Sequence, residues 1–167
     1  PQLTDEQARA VAAVDPAAGF SAHLLHGVTG SGKTEVYLRL IDKTLALGRQ
    51  VLLLVPEINL TPQLEGRVRA RFPAAGVVSL HSELAEAARE RNWRAAFAGE
   101  ASIVLGTRLA IFTPMPRLGL IVVDEEHDPS FKQQDGMRYS ARDVAVFRAH
   151  QLGIPVLLGS ATPSLES

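Results

Sequence analysis

The sequence predicts an α/β fold of three layers, α/β/α, with helices on both faces of a mainly parallel sheet. Three observations lead there. Short, nearly all-apolar runs recur, as in Val51-Leu52-Leu53-Leu54-Val55 and Leu120-Ile121-Val122-Val123, and strands without a polar face are those buried on both sides. Longer stretches with helical spacing lie between these runs, and a βαβα rhythm belongs to parallel sheets. A glycine-rich loop, Gly27-Val28-Thr29-Gly30-Ser31-Gly32-Lys33-Thr34, joins a strand to a helix, the context in which such a loop binds phosphate.

Each element has its own signal. A helix is expected at 4–14, where Thr4-x-x-Gln7 reads as a capping box. A strand at 22–26 runs into the glycine-rich loop, and a helix at 33–47 leaves it. Leu38, Ile41 and Leu45 keep helical spacing there, and Gly48 is the C-terminal cap. The next strand is expected at 50–55. Thr61-Pro62, a cap followed by a first-turn proline, starts a helix at 62–72. A strand at 77–80, a helix at 83–98 and strands at 102–105 and 119–123 follow. Ser140-Ala141-Arg142-Asp143 caps a helix at 141–151 ahead of Val144 and Phe147, and the last strand is expected at 155–159. No repeat or low-complexity tract interrupts the pattern, so residues 1–167 read as a single domain.

Composition narrows the function classes. A chain of 167 residues buries about 70% of its unfolded surface, enough for a core without staples. It has no cysteine, which excludes disulfides and thiolate metal sites within it and fits a reducing compartment. No apolar run approaches the roughly 18 residues of a membrane span, and Pro1-Gln2-Leu3-Thr4-Asp5 does not open a signal peptide. Seventeen basic and eighteen acidic residues leave a net charge of −1. Any contact with nucleic acid must therefore be local.

The loop at 27–34 carries the most specific chemistry. Its glycines let the backbone curl so that N–H groups converge on phosphate oxygens. Lys33 is the point charge for the outer phosphates, and the Thr34 hydroxyl suits Mg²⁺. The helix beginning there turns its positive end toward the same anion. A second constellation is Asp124-Glu125, two acids at the end of an apolar strand. Asp124 suits Mg²⁺, and Glu125 suits the general base that activates water. Taken alone, the pair also reads as exposed acids capping a strand. Glu126 and His127 extend it, with His127 either coupling or merely hydrogen-bonding locally. Ser160-Ala161-Thr162 follows the last strand. It reads either as a sensor of the γ-phosphate or as an ordinary turn before Pro163.

Gly32-Lys33-Thr34, then Asp124-Glu125-Glu126-His127, then Ser160-Ala161-Thr162 resembles the first-lobe signature of superfamily two helicases. The longer strings at 27–37, 56–63, 106–108, 124–128 and 159–167 are similar to the bacterial primosomal replication-restart helicases, over essentially the whole chain. The resemblance implies a RecA-like phosphate-loop NTPase lobe of an ATP-driven 3′→5′ DNA helicase with a DEAH-like box. It implies action at abandoned replication forks, with primosome assembly and replication restart. Lys33, Thr34, Asp124 and Glu125 take the roles argued above, and Gln7 sits where this family reads adenine. The cofactors implied are ATP and Mg²⁺, with the family's zinc sites outside this segment. The partners implied are single-stranded and forked DNA, primosome proteins and single-strand-binding proteins, with no membrane. The location implied is the bacterial cytoplasm, at the nucleoid.

The segment 129–143 holds Phe131, Tyr139, Lys132, Arg138 and Arg142. It resembles the aromatic-rich loop that couples DNA contact to hydrolysis, with aromatics to stack on bases and cations to track phosphates. Phe131 stands where the family more usually has Tyr, and either ring stacks. As packing anchors, Phe131 and Tyr139 would be structural only. Residues 57–63 and Thr107-Arg108 correspond to motifs that touch single-stranded DNA, although Thr61-Pro62 also starts a helix and Arg108 also suits a snorkelling surface residue. Arg67, Arg69, Arg71, Arg89, Arg91 and Arg94 read as solvated helix faces, and Trp93 as packing. Such helicases need a second lobe, so this chain is expected to be one lobe that binds ATP weakly and does not unwind DNA alone. Another DNA-dependent ATPase or translocase, and a nucleotide-gated primosome scaffold, remain as alternatives.

Overall fold

The computed structural model describes residues 2–26, 31–125 and 140–160. Among them a six-stranded sheet has β1 (Ser21–Leu25), β2 (Gln50–Leu54), β3 (Val77–Leu80), β4 (Ile103–Gly106), β5 (Leu118–Val123) and β6 (Pro155–Gly159) in the order β1-β6-β5-β2-β4-β3. All five pairings are parallel. The helices are α1 (Asp5–Ala13), α2 (Ser31–Ala46), α3 (Pro62–Arg71), α4 (Glu86–Phe97) and α5 (Ala141–Leu152). The predicted strands all form, with ends displaced by at most one residue.

Alternation along the central strands divides the interior in two. Val51, Leu53, Leu120 and Val122 pack with Val36, Leu40 and Ile41 of α2. Leu52, Leu54, Ile121 and Val123 face the opposite way, toward Ala96 of α4 and the alanines of α5. Successive strand residues point to opposite faces, so an all-apolar strand feeds both cores.

The caps follow the sequence. Thr4 and Gln7 form the reciprocal capping box of α1, Thr61 Oγ1 accepts from Leu64 N, and Ser140 Oγ accepts from Asp143 N. Gly153, at φ 67°, ends α5 in the left-handed region. Three expectations need correction, and on α5 the structure shows a face for which the sequence carried no expectation. The fourth helix starts at Glu86 rather than 83, because the Arg89 guanidinium donates to the carbonyls of Ser82 and Leu84 and holds that stretch as a turn. On α5 the sheet-facing stripe is Ala141, Ala145 and Ala149, each fully buried, while Phe147 is 63% exposed; four-residue spacing of small side chains lets the helix lie close to β5 and β6. Trp93 is exposed and stacks on Phe97 at 5.6 Å. Arg67 and Arg71 do not belong to a solvated face, since both turn toward the buried carboxylate of Glu35.

Candidate functional site

The carboxyl ends of parallel strands are where open α/β sheets place their ligands, and of the predicted site residues Lys33, Asp124 and Glu125 meet there. Asp124 follows β5 directly, and its N–H donates to Leu54 O at 2.8 Å. Glu125 comes next at φ 52°, a left-handed conformation uncommon outside glycine. Lys33 lies in the first turn of α2 and is 3% exposed. Its ammonium donates to Asp124 Oδ1 at 3.0 Å and to Glu125 Oε2 at 2.6 Å. Lysine and acid pair, 91 residues apart in sequence, thus share one site.

Electrostatics explain why Lys33 tolerates burial. Desolvation works against its charge, but hydrogen bonds and charge from Glu125 and Asp124 outweigh that and raise its pKa above the ordinary lysine value. Asp124 Oδ1 also accepts from Tyr37 Oη at 2.6 Å. Burial, then the neighbouring Asp124 charge, pushes the Tyr37 phenol up, so it stays a donor. Sequence reasoning missed Tyr37. The available signal was its position four residues after Lys33, on the same helix face.

Gln7 touches the start of the same helix. Its Nε2 donates to Gly32 O at 3.0 Å, while its Oε1 accepts from Thr4 N. One side chain therefore closes the α1 cap and ties α1 to the foot of α2. Thr34 is half-buried in that foot. Ser160 is buried beyond β6, where its N–H donates to Leu25 O at 2.9 Å. Gly27, Val28, Thr29, Gly30, Glu126, His127, Phe131, Lys132, Tyr139, Ala161 and Thr162 lie outside the described residues.

A second missed group is Glu35, 5% exposed. Arg71 of α3 grips it through two hydrogen bonds of 3.1 and 2.8 Å, and Arg39 adds one of 2.9 Å. The Arg71 bonds, helped by Arg39 and opposed by burial, hold its pKa down at about 2. The Glu35–Arg39 spacing of four was the local signal. The partner on α3 lies 36 residues away.

Glu57, Thr107 and Arg108, among the residues expected at DNA, form a separate cluster near the ends of β3 and β4. Thr107 is buried and precedes a short 3₁₀ turn, Arg108–Phe112. Glu57 accepts from Ser82 Oγ at 3.0 Å. Glu57, Thr107 and Arg108 line a cavity of about 680 Å³ together with Trp93, Leu109 and Phe112; Lys33 is not among its lining residues. Arg142 pairs with its neighbour Asp143 at 3.1 Å in the first turn of α5 and is not among the residues lining that cavity. No helix among the described residues is long and apolar enough to cross a membrane.

Comparison with known proteins identifies the family and the fold. The profile of the DEAD/DEAH box helicase family matches residues 4–167. Replication restart protein PriA of Synechocystis is 55% identical over 168 residues, covering 100% of this chain and 20% of that protein. The PriA of Haemophilus influenzae is 52% identical, covering 99% and 22%, and that of Bacillus subtilis 48%, covering 99% and 21%. The chain thus spans about a fifth of the length of these relatives. Among solved structures, RecG bound to a three-way DNA junction superposes with TM-score 0.70 at 24% identity, over 98% of this chain and 21% of RecG. The DEAD-box helicase Mss116, bound to single-stranded RNA and UDP-BeF, superposes with TM-score 0.68 at 19% identity, over 99% and 37%. Both likenesses show a RecA-like helicase fold.

Proposed function

The chain belongs to the DEAD/DEAH box helicase family, and from that premise we propose that it is the ATP-binding first motor lobe of a replication-restart DNA helicase with 3′→5′ polarity. The observation that carries this reading is the buried Lys33 ammonium held between Asp124 and Glu125 at 3.0 and 2.6 Å. An ammonium at the foot of a helix, facing two acids at a strand end, supplies three of the recurring parts of phosphoryl transfer to water.

The donor set fits ATP and Mg²⁺. A hydroxyl and a carboxylate are the hard oxygen ligands that Mg²⁺ prefers, and bound Mg²⁺ neutralises phosphate charge. Thr34 and Asp124 would hold it. Lys33 turns from the carboxylates to the outer phosphates, together with the amides of 27–32. Glu125 then loses its cation and becomes the base that takes a proton from the attacking water. Gln7, anchored on Gly32, reads adenine with its remaining amide capacity. Ser160, Ala161 and Thr162 relay the state of the γ-phosphate, with Glu126 and His127 in the same circuit.

DNA lies across the neighbouring strand ends. Thr107 and Arg108 hold its phosphates, and the segment with Phe131, Lys132, Tyr139 and Arg142 couples its presence to hydrolysis. Primosome and single-strand-binding proteins are the partners. The family's zinc sites belong to other parts of the longer protein, as does the second lobe, so this lobe alone binds ATP weakly and does not unwind DNA.

The direct test is equilibrium binding of a fluorescent ATP analogue to the chain in Mg²⁺, with ATP as competitor. Competable binding that Lys33→Ala abolishes supports the reading, and no binding at any concentration overturns it. In the longer protein, Glu125→Gln should abolish unwinding of forked DNA. A variant that still promotes restart without hydrolysis would favour the scaffold alternative.

A further inference from the structure

Lys33 has two duties that it cannot perform at once. In the structure it holds Asp124 and Glu125, and in the proposed reaction it grips phosphate. When it leaves, Asp124 needs another partner to keep its orientation. The only other side chain bonded to Asp124 among the described residues is Tyr37, whose hydroxyl donates to Oδ1 at 2.6 Å. Both bonds to the carboxylate land on Oδ1, so Oδ2 lies outside them.

We infer that Tyr37 is a positioning residue: it pins Asp124 through Oδ1 so that Oδ2 meets the metal of the bound nucleotide. The inference rests on the reading of this site as one for ATP and Mg²⁺. The fold makes specific room for the contact. Tyr37 is 3% exposed and enclosed in the core beneath α2. A Cβ on Gly159, the last residue of β6, would stand 1.8 Å from the Tyr37 hydroxyl oxygen, far inside any tolerable contact. Only glycine there lets the phenol reach the acid. Because Gly159 leads directly into Ser160, the hydroxyl lies where α2, β5 and β6 meet. Tyrosine keeps its rotor locked by packing, and a ligand held by a neighbour keeps its geometry when the metal arrives.

Mn²⁺ serves as the probe, titrated by electron paramagnetic resonance against the chain with AMP-PNP, and AMP-PNP binding is measured separately in EDTA. Tyr37→Phe removes only the hydroxyl. It should weaken Mn²⁺ about three- to tenfold while metal-free AMP-PNP affinity stays within twofold, a split that general loosening does not produce. Gly159→Ala, which displaces the phenol from the other side, should reproduce the loss. Asp124→Asn should weaken Mn²⁺ at least as much, and adding Tyr37→Phe to it should cause no further loss. If Asp124→Asn weakens Mn²⁺ but Tyr37→Phe leaves it within twofold, Tyr37 has no positioning role although the site reading stands. Independent, additive losses also overturn the inference. If Asp124→Asn itself changes nothing, the metal site is wrong and this role falls with it.

Discussion

Replacing Glu35 by Gln should lower the stability of the chain at neutral pH and flatten its response to acid. The folded carboxyl sits at about 2 against an ordinary 4.5, and each tenfold change in proton affinity is worth about 1.4 kcal/mol. That makes the ionised form worth about 3 kcal/mol to the fold. Arg71 and Arg39 are 30% and 35% exposed, so water screens part of the attraction, and about 2–3 kcal/mol is the expected loss. The folded pKa is depressed, so this stability is fully present above pH 4.5 and disappears as pH falls toward 2. In a chain of this length each kcal/mol moves Tm by about 2–4 °C, which puts the deficit of Glu35→Gln at about 4–12 °C at pH 7. Thermal unfolding followed by far-ultraviolet circular dichroism at pH 7, 4 and 2.5 measures it. The deficit should shrink to about a quarter of its neutral value at pH 2.5. A deficit below 1 °C at pH 7, or one that persists unchanged into acid, would refute the reasoning.

Three other outcomes follow from the geometry. Lys33→Ala removes charge-assisted contacts worth roughly 1.5–3 kcal/mol each, so affinity for an ATP analogue should fall at least tenfold by equilibrium titration while the fold persists. Glu125→Gln should retain nucleotide binding within a fewfold yet lose at least a hundredfold in steady-state hydrolysis when the chain is part of the longer protein, as removal of a general base does. Ala145→Leu forces a bulky side chain between α5 and the sheet, where Ala145 has no exposure. Overpacking of about 1–3 kcal/mol should appear in urea unfolding as a lower midpoint with an unchanged slope.

The strands were legible because burial on both faces leaves no polar alternation to interpret: Val51 to Leu54 and Leu120 to Val123 could only be central. The meeting of Lys33 with Asp124 and Glu125 was legible because each motif ends at the same edge of a parallel sheet. Helix faces were harder. Phe147 outweighs alanine on any hydrophobicity scale, yet on α5 close approach favoured Ala141, Ala145 and Ala149, and the larger ring was left outside. The 3₁₀ turns at Glu57–Asn59 and Arg108–Phe112 are too short for a periodic signal. Glu35 and Tyr37 escaped notice because their decisive partners, Arg71 and Asp124, stand 36 and 87 residues away. The spacings of four, Glu35–Arg39 and Lys33–Tyr37, mark only a helix face; they do not point to a partner on another helix or to a missing methyl group at Gly159.

The two carboxylates around one ammonium leave a small surplus of negative charge at the strand ends. A bare triphosphate approaching that spot would have to draw Lys33 away and abandon Asp124 and Glu125 to mutual repulsion. A triphosphate already escorted by a divalent cation brings a replacement for the lysine in the same encounter. On the proposed reading, the pocket would therefore act as a counterion exchange, screening incoming nucleotides by whether they carry metal before any base or ribose is inspected.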